Sequence, residues 1–342
     1  MDLFVGQFLA PRSPRRARPF TCSLAIQFTA LLTLFANPVF AQSNVDPIKI
    51  VVPTAAEGST DQLARILGAG LQNQGFGKVE VINMPGKSGA IAASYVAKSK
   101  PDGRTLLIAT PSSHSIAKAL SVASNVPLPY DPVSSFSMIA CFAQAPYIFV
   151  VGPDGPSSLD LFIDGARTSR SPLKYSSTGI GGPHHLIGEA LFSTLGLTLQ
   201  HVPAAGGAKA IEMVKSKQVA TMIPASILAI PQIQSGQIRA LALTGAQRLA
   251  VIPSVPTFKE LGISLDLESW YGLMGPSGLS ANQVDKLANG VQFIMRSEET
   301  KRKVESLGIN IVDIRNEAFA RMIEQETVIW QKVASQVPAT NP

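Results

Sequence analysis

The chain has 342 residues, of which 46% are hydrophobic and 15% are charged, and its formal net charge is +6. Four arginines and one aspartate in residues 1–41 contribute half of that charge, and no basic run follows, so the composition gives no support for nucleic-acid binding. Of the two cysteines only Cys141 lies beyond residue 41, which excludes an intramolecular disulfide and a cysteine-rich metal site in the remaining chain.

Residues 1–41 have the pattern of a secretory signal peptide. The arginines end at Arg18, residues 20–36 are mostly apolar, and residues 39–41 have the small-x-small pattern of a cleavage site. The apolar run is near the short limit for a membrane span and is followed by Pro38, which disfavours a retained anchor. We therefore expect an exported protein that is cleaved near Ala41 and leaves about 300 residues, enough for two domains.

The segment from Ile48 to Leu67 predicts a strand, a polar loop and a helix. The run Ile48–Val52 is short and β-branched, as in a buried strand, and Pro53 ends it because proline has no N–H to donate to a neighbouring strand. Apolar residues follow helical spacing from Leu63 onward. Since the first N–H groups of a helix have no internal partner, Gly58–Asp61 is an anion site or, equally, an ordinary helix cap.

The next elements repeat this arrangement. Strands predicted at Lys78–Ile82 and Thr105–Ala109 flank a helix predicted at Gly89–Ala97. After the second of these strands come four polar residues, Thr110, Ser112, Ser113 and His114, again before a helix. Ligands collect beyond the carboxyl ends of strands in open α/β sheets, so the two polar loops point to one site.

A second α/β block follows a strand predicted at Ser137–Phe142. Its predicted strands are Tyr147–Val151, Leu173–Ser176, Leu199–Val202, Val219–Ile223 and Ile238–Thr244, and its predicted helices are Ser158–Arg167, a helix opening at His184 or His185, Ala208–Lys215 and Ile230–Ile233. Small-residue loops at 177–183 and 203–207 follow two of these strands. Two or three helices, the segment Glu268–Leu273 and a short strand at Ile309–Val312 complete the chain, and the alternation predicts parallel sheets throughout.

The sequence lacks a nucleophile elbow, an H-E-x-x-H motif, a P-loop and a complete dinucleotide fingerprint. His184 and His185 are adjacent on a helix and point about 100° apart, so they cannot chelate one metal ion. We predict that His185 bonds to the loop backbone, that His201 is structural, and that no metal or cofactor is bound. Several helix N-termini with small polar loops predict a protein that binds a small anion and catalyses no reaction.

The chain resembles the tripartite tricarboxylate transporter substrate-binding proteins, also called Bug proteins. The resemblance runs from Ile48 to about Val333 and is carried by VVP…GSTDQLAR (51–65), NMPGKSGAIAASYVAKSKPDGRTLLIAT (83–110), LKYSSTGIGGPHHLIGEALF (173–192), GQIRALALTGAQR (236–248), IPSVPTFKELG (252–262) and SWYGLMGPSG (269–278). It implies a two-lobed α/β fold of the type II periplasmic-binding kind, with mostly parallel sheets and a hinge. It also implies a periplasmic monomer that captures a small organic acid or amino acid and delivers it to a two-subunit inner-membrane permease.

The resemblance also implies which loops hold the ligand. Matched onto this chain, the ligand-binding residues are Thr54, Glu57, Ser59, Thr60, Asp61, Ser112, Ser113, His114, Ser177, Thr178, Gly179, Gly181, Ala204, Ala205 and Gly206. Asp61 can instead cap its helix, and the aromatic residues Trp270 and Tyr271 are expected in the core.

The chain departs from the family pattern at several of these positions. Thr54, Ala56 and Glu57 stand where the first loop usually has an aromatic residue, a proline and a glycine. Ala204 and Ala205 replace an aromatic residue and a cation, and Met84 replaces an arginine. Without the cation at Ala205, and with the Glu57 carboxylate at the rim, a second ligand carboxylate is disfavoured. We therefore expect a monocarboxylate, an amino acid or a bulkier aromatic acid.

By the same resemblance, residues 48–143 with 248–336 form one lobe and residues 144–247 form the other. Two alternative functions stay open. The first is a receptor that presents its ligand to a membrane kinase instead of a permease. The second is an enzyme on the same fold, such as a transferase, for which no general base with a matched nucleophile is visible in the sequence.

Overall fold

The computed structural model describes residues 46–56, 58–265 and 267–336. The predicted signal peptide, Glu57 and the last six residues lie outside this part of the chain. Among the described helices, none combines the length and the hydrophobicity that a bilayer crossing needs.

A six-stranded sheet, which we call sheet 1, contains the first predicted strands. Its members are β1 (Ile48–Val52), β2 (Val79–Asn83), β3 (Thr105–Ala109), β4 (Phe136–Pro146), β10 (Glu268–Pro276) and β11 (Asn310–Arg315), in the spatial order β11-β4-β10-β3-β1-β2. Strands β1 and β3 begin and end at the predicted residues, because short β-branched or apolar runs between turn residues define a buried strand.

A five-stranded sheet, sheet 2, is built from the middle of the chain. Its strands are β5 (Ile148–Val151), β6 (Lys174–Ser177), β7 (Gln200–Pro203), β8 (Thr221–Met222) and β9 (Arg239–Leu243), in the order β7-β6-β8-β5-β9. Strand β8 has only two residues, shorter than the predicted Val219–Ile223, and all four residues of β5 are buried.

Ten α-helices within the described residues cover the two sheets. They are α1 (Ser59–Asn73), α2 (Ala90–Ala97), α3 (Ser115–Ser124), α4 (Leu159–Thr168), α5 (Pro183–Leu195), α6 (Gly207–Lys215), α7 (Ser226–Gln234), α8 (Ala281–Met295), α9 (Glu298–Glu305) and α10 (Asn316–Gln336). Short 3₁₀ helices at Lys87–Gly89 and Pro111–Ser113 precede α2 and α3. Helix α1 buries Leu63, Leu67 and Leu71 in the core beside β1.

The prediction of mostly parallel sheets is wrong. In sheet 1, β1 pairs in parallel with β2 and β3, but β10 is antiparallel to β3 and β4, and β11 is antiparallel to β4. In sheet 2, β6 is parallel to β7 and β8, whereas β5 is antiparallel to β8 and β9. Both sheets are therefore mixed.

The antiparallel pairs have a topological cause. The chain leaves sheet 1 through β4, enters sheet 2 through β5 after the single residue Tyr147, and returns through β9 and β10. Since the outgoing and returning strands lie side by side, they must run in opposite directions, with Pro146 opposite Glu268 and Phe136 opposite Pro276. This pairing joins residues more than a hundred positions apart, which alternation of local elements cannot reveal.

Candidate ligand-binding site

A cavity of about 490 Å³ is lined by loops from both sheets. The loops after β1, β3 and β6 contribute to its wall, as do the starts of α2, α6 and α7 and the strand β10. It therefore lies where the carboxyl ends of the parallel strands from the two sheets face each other, the position at which open α/β folds bind ligands.

Helix α1 points its N-terminus at this cavity. The lining includes Gly58, Ser59 and Thr60. Gly58 is the N-cap, has extended backbone geometry and offers no side-chain oxygen to the helix. The first hydrogen bond within the helix runs from the Gln62 N–H to the Gly58 carbonyl at 3.0 Å. The N–H groups of Ser59 and Thr60 come before it in the helix. Those N–H groups and the two hydroxyls are suitable donors for an anion.

Four further helices begin at the cavity in the same way. The N-caps of α2, α5, α6 and α7 all line the cavity and make no side-chain capping hydrogen bond, and they are Gly89, Gly182, Gly206 and Ala225. Each helix N-terminus carries a partial positive charge, because its peptide dipoles are aligned. Five such ends converge on one space of small-molecule size.

The described lining contains no lysine, arginine, aspartate or glutamate. Its polar surface consists of hydroxyls, His184 and backbone, and its apolar surface includes Ile180, Ile227 and Leu228. An anion in this cavity would therefore be held by N–H and O–H donors, with apolar side chains beside it.

Residues 177–182, which we call the glycine loop, are held by the imidazole of His184. Its Nε2 accepts from the Ala225 N–H at 3.3 Å, so Nδ1 carries the proton and donates to Thr178 Oγ1 at 2.9 Å. Burial lowers the pKa of His184 to about 4, and the ring is therefore neutral at physiological pH. Since Thr178 accepts from His184, its own hydroxyl proton remains available in the cavity that it lines.

Tyr147, Ser269 and Tyr271 bring the connecting strands into the cavity wall. The backbone of Tyr147 is fixed to the returning chain, because its N–H donates to Thr244 Oγ1 and its carbonyl accepts from the Thr244 N–H, each at 2.8 Å. Tyr147 Oη and Thr54 Oγ1 are buried and make no hydrogen bond of normal geometry to a described residue. Burial raises the pKa of Tyr147, and the nearby Ser269 hydroxyl partly offsets this.

No cluster of histidine, cysteine, aspartate and glutamate in the described chain has the arrangement of a metal site. His184 uses both ring nitrogens for protein hydrogen bonds, and the His185 Nδ1 accepts from the Gly181 N–H at 3.1 Å. The prediction that His185 bonds to the loop backbone is thereby confirmed.

Comparison with known proteins gives the family. Residues 63–337 match the family described as "Tripartite tricarboxylate transporter family receptor". The chain belongs to this family. Among curated relatives, Protein BugT of Bordetella pertussis is 28% identical over 307 residues, which cover 89% of this chain and 93% of BugT.

Two solved structures of the receptor fold are similar over most of their length. R. palustris Rpa4515 with adipate is 28% identical with a TM-score of 0.74, covering 84% of this chain and 96% of that one. MatC (Rpa3494) from Rhodopseudomonas palustris with bound malate is 27% identical with a TM-score of 0.73, covering 85% and 99%. The family and the α/β fold expected from the sequence are confirmed.

The structure places seven of the predicted ligand-binding residues in the cavity wall. They are Thr54, Ser59, Thr60, Ser112, Thr178, Gly179 and Gly206. Ligand contact by these residues stays a prediction. Glu57 lies outside the described residues.

The other predicted residues of this receptor lie outside the cavity lining, namely Asp61, Ser113, His114, Ser177, Gly181, Ala204 and Ala205. The Asp61 carboxylate is buried and accepts from Arg65 at 2.9 Å and from Asn83 Nδ2 at 2.9 Å. His114 is fully buried against Phe136, and burial lowers its pKa to about 3.

Ser177 is the first residue of the glycine loop, and its Oγ is 2.7 Å from His201 Nε2 and donates to the Gly179 carbonyl at 2.9 Å. The Ala204 N–H donates to the Ser177 carbonyl at 2.9 Å, and Ala205 is exposed. These residues support the wall of the cavity from behind it.

Sequence reasoning did not select Tyr147, His184, Ser269 or Tyr271 as cavity residues. Trp270 and Tyr271 are buried as expected, yet Tyr271 also lines the cavity. The only local signal was the pair of adjacent aromatic residues in the string SWYG, and it becomes meaningful only once β10 is known to be a connecting strand.

Proposed function

We propose that this protein is a periplasmic receptor that captures a small carboxylate in the cavity and delivers it to a two-subunit inner-membrane permease. The observation that carries the proposal is the convergence of five helix N-termini, none of them capped by a side chain, on a cavity without a charged side chain in its described lining. Backbone N–H groups and hydroxyls can hold a carboxylate in such a place, because the helix dipoles favour negative charge.

The ligand class follows from what the lining contains. The described lining has no cation that could balance a second ligand carboxylate, whereas Ile180, Ile227 and Leu228 add apolar surface to it. We therefore propose a monocarboxylate with an apolar or aromatic remainder. The relatives that hold adipate and malate set the contrast, since both of those ligands are dicarboxylates.

We further propose that residues 48–143 with 248–336 form one lobe, that 144–247 form the other, and that the lobes close on the ligand as a monomer. The connecting strands support this, because only β4 with β5, and the chain from β9 to β10, pass between the two sheets. Closure about so few segments is a hinge motion. Small-angle scattering should then give a smaller radius of gyration with ligand than without.

The test is a thermal-shift screen of the exported protein, unfolded and refolded to remove any ligand carried through purification. The panel holds acetate, isovalerate, benzoate, leucine, adipate, malate and citrate. A ligand at 100 times its Kd adds about 2.7 kcal/mol of stability, a shift of several degrees in Tm for a protein of this size.

A shift with isovalerate or benzoate and none with citrate is the expected result. Selective binding of malate or citrate would contradict the monocarboxylate proposal while leaving the receptor assignment intact. No shift with any carboxylate would contradict the anion site itself.

A further inference from the structure

Three of the chain's four histidines lie beneath the glycine loop and bond to it. His184 donates to Thr178 Oγ1 at 2.9 Å, His185 Nδ1 accepts from the Gly181 N–H at 3.1 Å, and His201 Nε2 lies 2.7 Å from Ser177 Oγ. Thr178 and Gly179 line the cavity, so the histidines hold the ligand-facing loop from behind.

The hydrogen bond from Gly181 defines the protonation state of His185. A ring nitrogen that accepts from a backbone N–H has no proton of its own, so His185 must be the neutral Nε2–H tautomer. Protonation at Nδ1 would turn the acceptor into a donor that faces the Gly181 N–H. The charged imidazole therefore cannot make the bond that holds the loop.

Three side chains surround the His185 ring: one carboxylate, which favours a positive charge on the ring, and two aromatic rings, which do not. The Glu189 carboxylate, one turn along α5, lies 3.8 Å from His185 Nε2 and favours the charged form. The His201 ring of β7 stacks on His185 with centroids 4.0 Å apart, and the Tyr175 ring of β6 stacks at 6.4 Å and donates its hydroxyl to Glu189. Burial is the larger influence and lowers the pKa of His185 below its ordinary value.

We propose that His185 is a positioning residue for the ligand, which holds the glycine loop against the cavity only as a neutral imidazole and lets the loop detach when it is protonated. His184 differs in this respect, because protonation of its Nε2 would break the bond from the Ala225 N–H but leave its Nδ1–H donating to Thr178. If the protein is a carboxylate receptor, detachment of the loop at low pH favours release of the carboxylate. That consequence depends on the proposed function, whereas the detachment of the loop does not.

The direction of the effect distinguishes this role from a simpler one. A histidine that bound the carboxylate as a cation would strengthen binding as the pH falls. A histidine that holds the loop as a neutral acceptor weakens ligand binding as the pH falls. The reason is that the histidine takes up a proton at its ordinary pKa when the loop is open and does not take one up when the loop is closed.

Amide hydrogen exchange of the protein tests the proposal without any ligand. In the wild type, protection of the peptide that covers 177–182, corrected for the intrinsic pH dependence of exchange, should fall about tenfold between pH 7.5 and pH 5. Protection of β1 should change less. Equal protection of the loop at the two pH values would overturn the proposal.

Two substitutions separate the hydrogen bond from the packing. His185→Gln keeps a carbonyl oxygen that can accept from Gly181 but cannot be protonated in this range, so the loop should stay protected at pH 7.5 and lose less protection at pH 5. His185→Phe keeps the ring but not the acceptor, so the loop should already be about tenfold less protected at pH 7.5.

His114→Gln is the matched control, since His114 is also a buried neutral histidine but lies outside the loop and the cavity lining. It should leave the pH profile of the loop unchanged. If His185→Gln loses as much protection at pH 5 as the wild type, or if His114→Gln removes the pH dependence, His185 is not the positioning residue. This result does not depend on whether any carboxylate binds, and it stands even if His185→Phe fails to fold.

Discussion

The helices that begin at the cavity differ from those that begin elsewhere. Away from it, α4, α8 and α9 start at serines, namely Ser158, Ser280 and Ser297, whose Oγ atoms each accept from a backbone N–H three residues on, at 3.3 Å. At the cavity, α1, α2, α5, α6 and α7 start at glycine or alanine with no side-chain cap. Helices α3 and α10 belong to neither set. The N-cap of α3, His114, makes no side-chain capping bond and lies outside the cavity lining, and α10 follows directly on β11.

The difference shows where the chain forgoes local stability. By satisfying one of the first N–H groups, a serine, aspartate or asparagine cap stabilises a helix by about 1 kcal/mol relative to alanine and by a few tenths of a kcal/mol relative to glycine. Glycine at the same place leaves those donors for something that enters the cavity. The cavity-facing ends thus have no side-chain partner, although some of their first N–H groups donate to backbone carbonyls, as Ala90 does to Lys87 and His185 does to Gly182. The serine-capped ends have a side-chain partner within the chain. Four predictions test this comparison.

Acid should have the largest effect, because the fold contains buried neutral histidines, two of them bonded to the glycine loop, and the serine caps do not titrate. Burial lowers the pKa values of His114, His184 and His201 to about 3, 4 and 4, and also lowers that of His185. The unfolded chain binds protons at the ordinary pKa of about 6.5, so stability should be full above that pH and fall as the pH drops toward 4.

For each of the two fully buried imidazoles, His114 and His184, the loss at pH 5 is about 2 kcal/mol, which thermal unfolding at pH 5 and pH 7.5 would measure. Burial raises the pKa of Glu326, so this carboxyl group makes the protein more stable at pH 5 than at pH 7.5, but it is a single group. A Tm that is constant or higher at pH 5 would contradict the neutral state of these histidines. Replacing His114 with glutamine should remove part of the slope.

The second prediction places a charged cap at a cavity-facing helix. Gly58 and Gly182 have extended backbones, and an added Cβ would meet no atom closer than 3.5 Å, so both sites can accept a side chain. Gly58→Asp and Gly182→Asp should each raise the Tm while weakening benzoate binding at least tenfold, about 1.4 kcal/mol, because the new carboxylate takes the N–H groups and repels the ligand.

Gly58→Asn is the uncharged control, and it should give a similar gain in Tm with a smaller loss of affinity, since it competes for the N–H groups without repulsion. Calorimetric titration at two ionic strengths separates the two causes. Unchanged binding in both aspartate variants would mean that these helix ends do not hold the anion.

The third prediction concerns the uncharged lining. Leu228 lies at the cavity close to the start of α6, where a Cβ on Gly207 would be 2.7 Å from Leu228 Cδ1. Leu228→Lys would add a cation to the wall and should shift the preference from benzoate toward adipate by roughly tenfold. Leu228→Met, which keeps the volume without the charge, should preserve the original preference. An identical ranking of ligands in the lysine variant would argue against ligand contact at this wall.

The smallest effect is expected at a serine-capped helix. Ser280→Ala removes the Oγ that accepts from the Gln283 N–H, although the Gln283 side chain still accepts from the Ser280 N–H at 2.9 Å. The free energy of unfolding should fall by about 1 kcal/mol, with no change in ligand affinity, as followed by denaturant titration and calorimetry. A change in affinity would show that capping and binding are not separable in the way the comparison requires.

The sequence was a reliable guide where one segment decides its own structure. Strands β1 and β3 matched their predicted bounds, since each is a short apolar run between turn residues. The polar loops after them do reach the cavity, because the carboxyl ends of parallel strands meet at one edge. His185 bonds to the loop backbone as predicted, because a histidine two residues into a helix is close to the loop that precedes it.

The pairing of strands that are distant in the chain could not be predicted from local sequence patterns. Nothing near Ser269 or Tyr271 in the chain reveals that β10 lies antiparallel to both β3 and β4, and that pairing brings these side chains into the wall. Asp61 and His114 lie in polar segments that resemble ligand-binding loops, yet their side chains are buried. Asp61 accepts a hydrogen bond from Asn83, and His114 packs against Phe136.

The sequence by itself determined most of the strands and helices, the glycine-containing loops at 58–61, 177–183 and 203–207, and the family to which the chain belongs. Only the tertiary structure decided that five helix starts face one cavity, that the two sheets are mixed, and that histidines hold the glycine loop. The physical reason is range: propensity, periodicity and capping act within a few residues, whereas the cavity is assembled by strands that pair across a hundred or more positions.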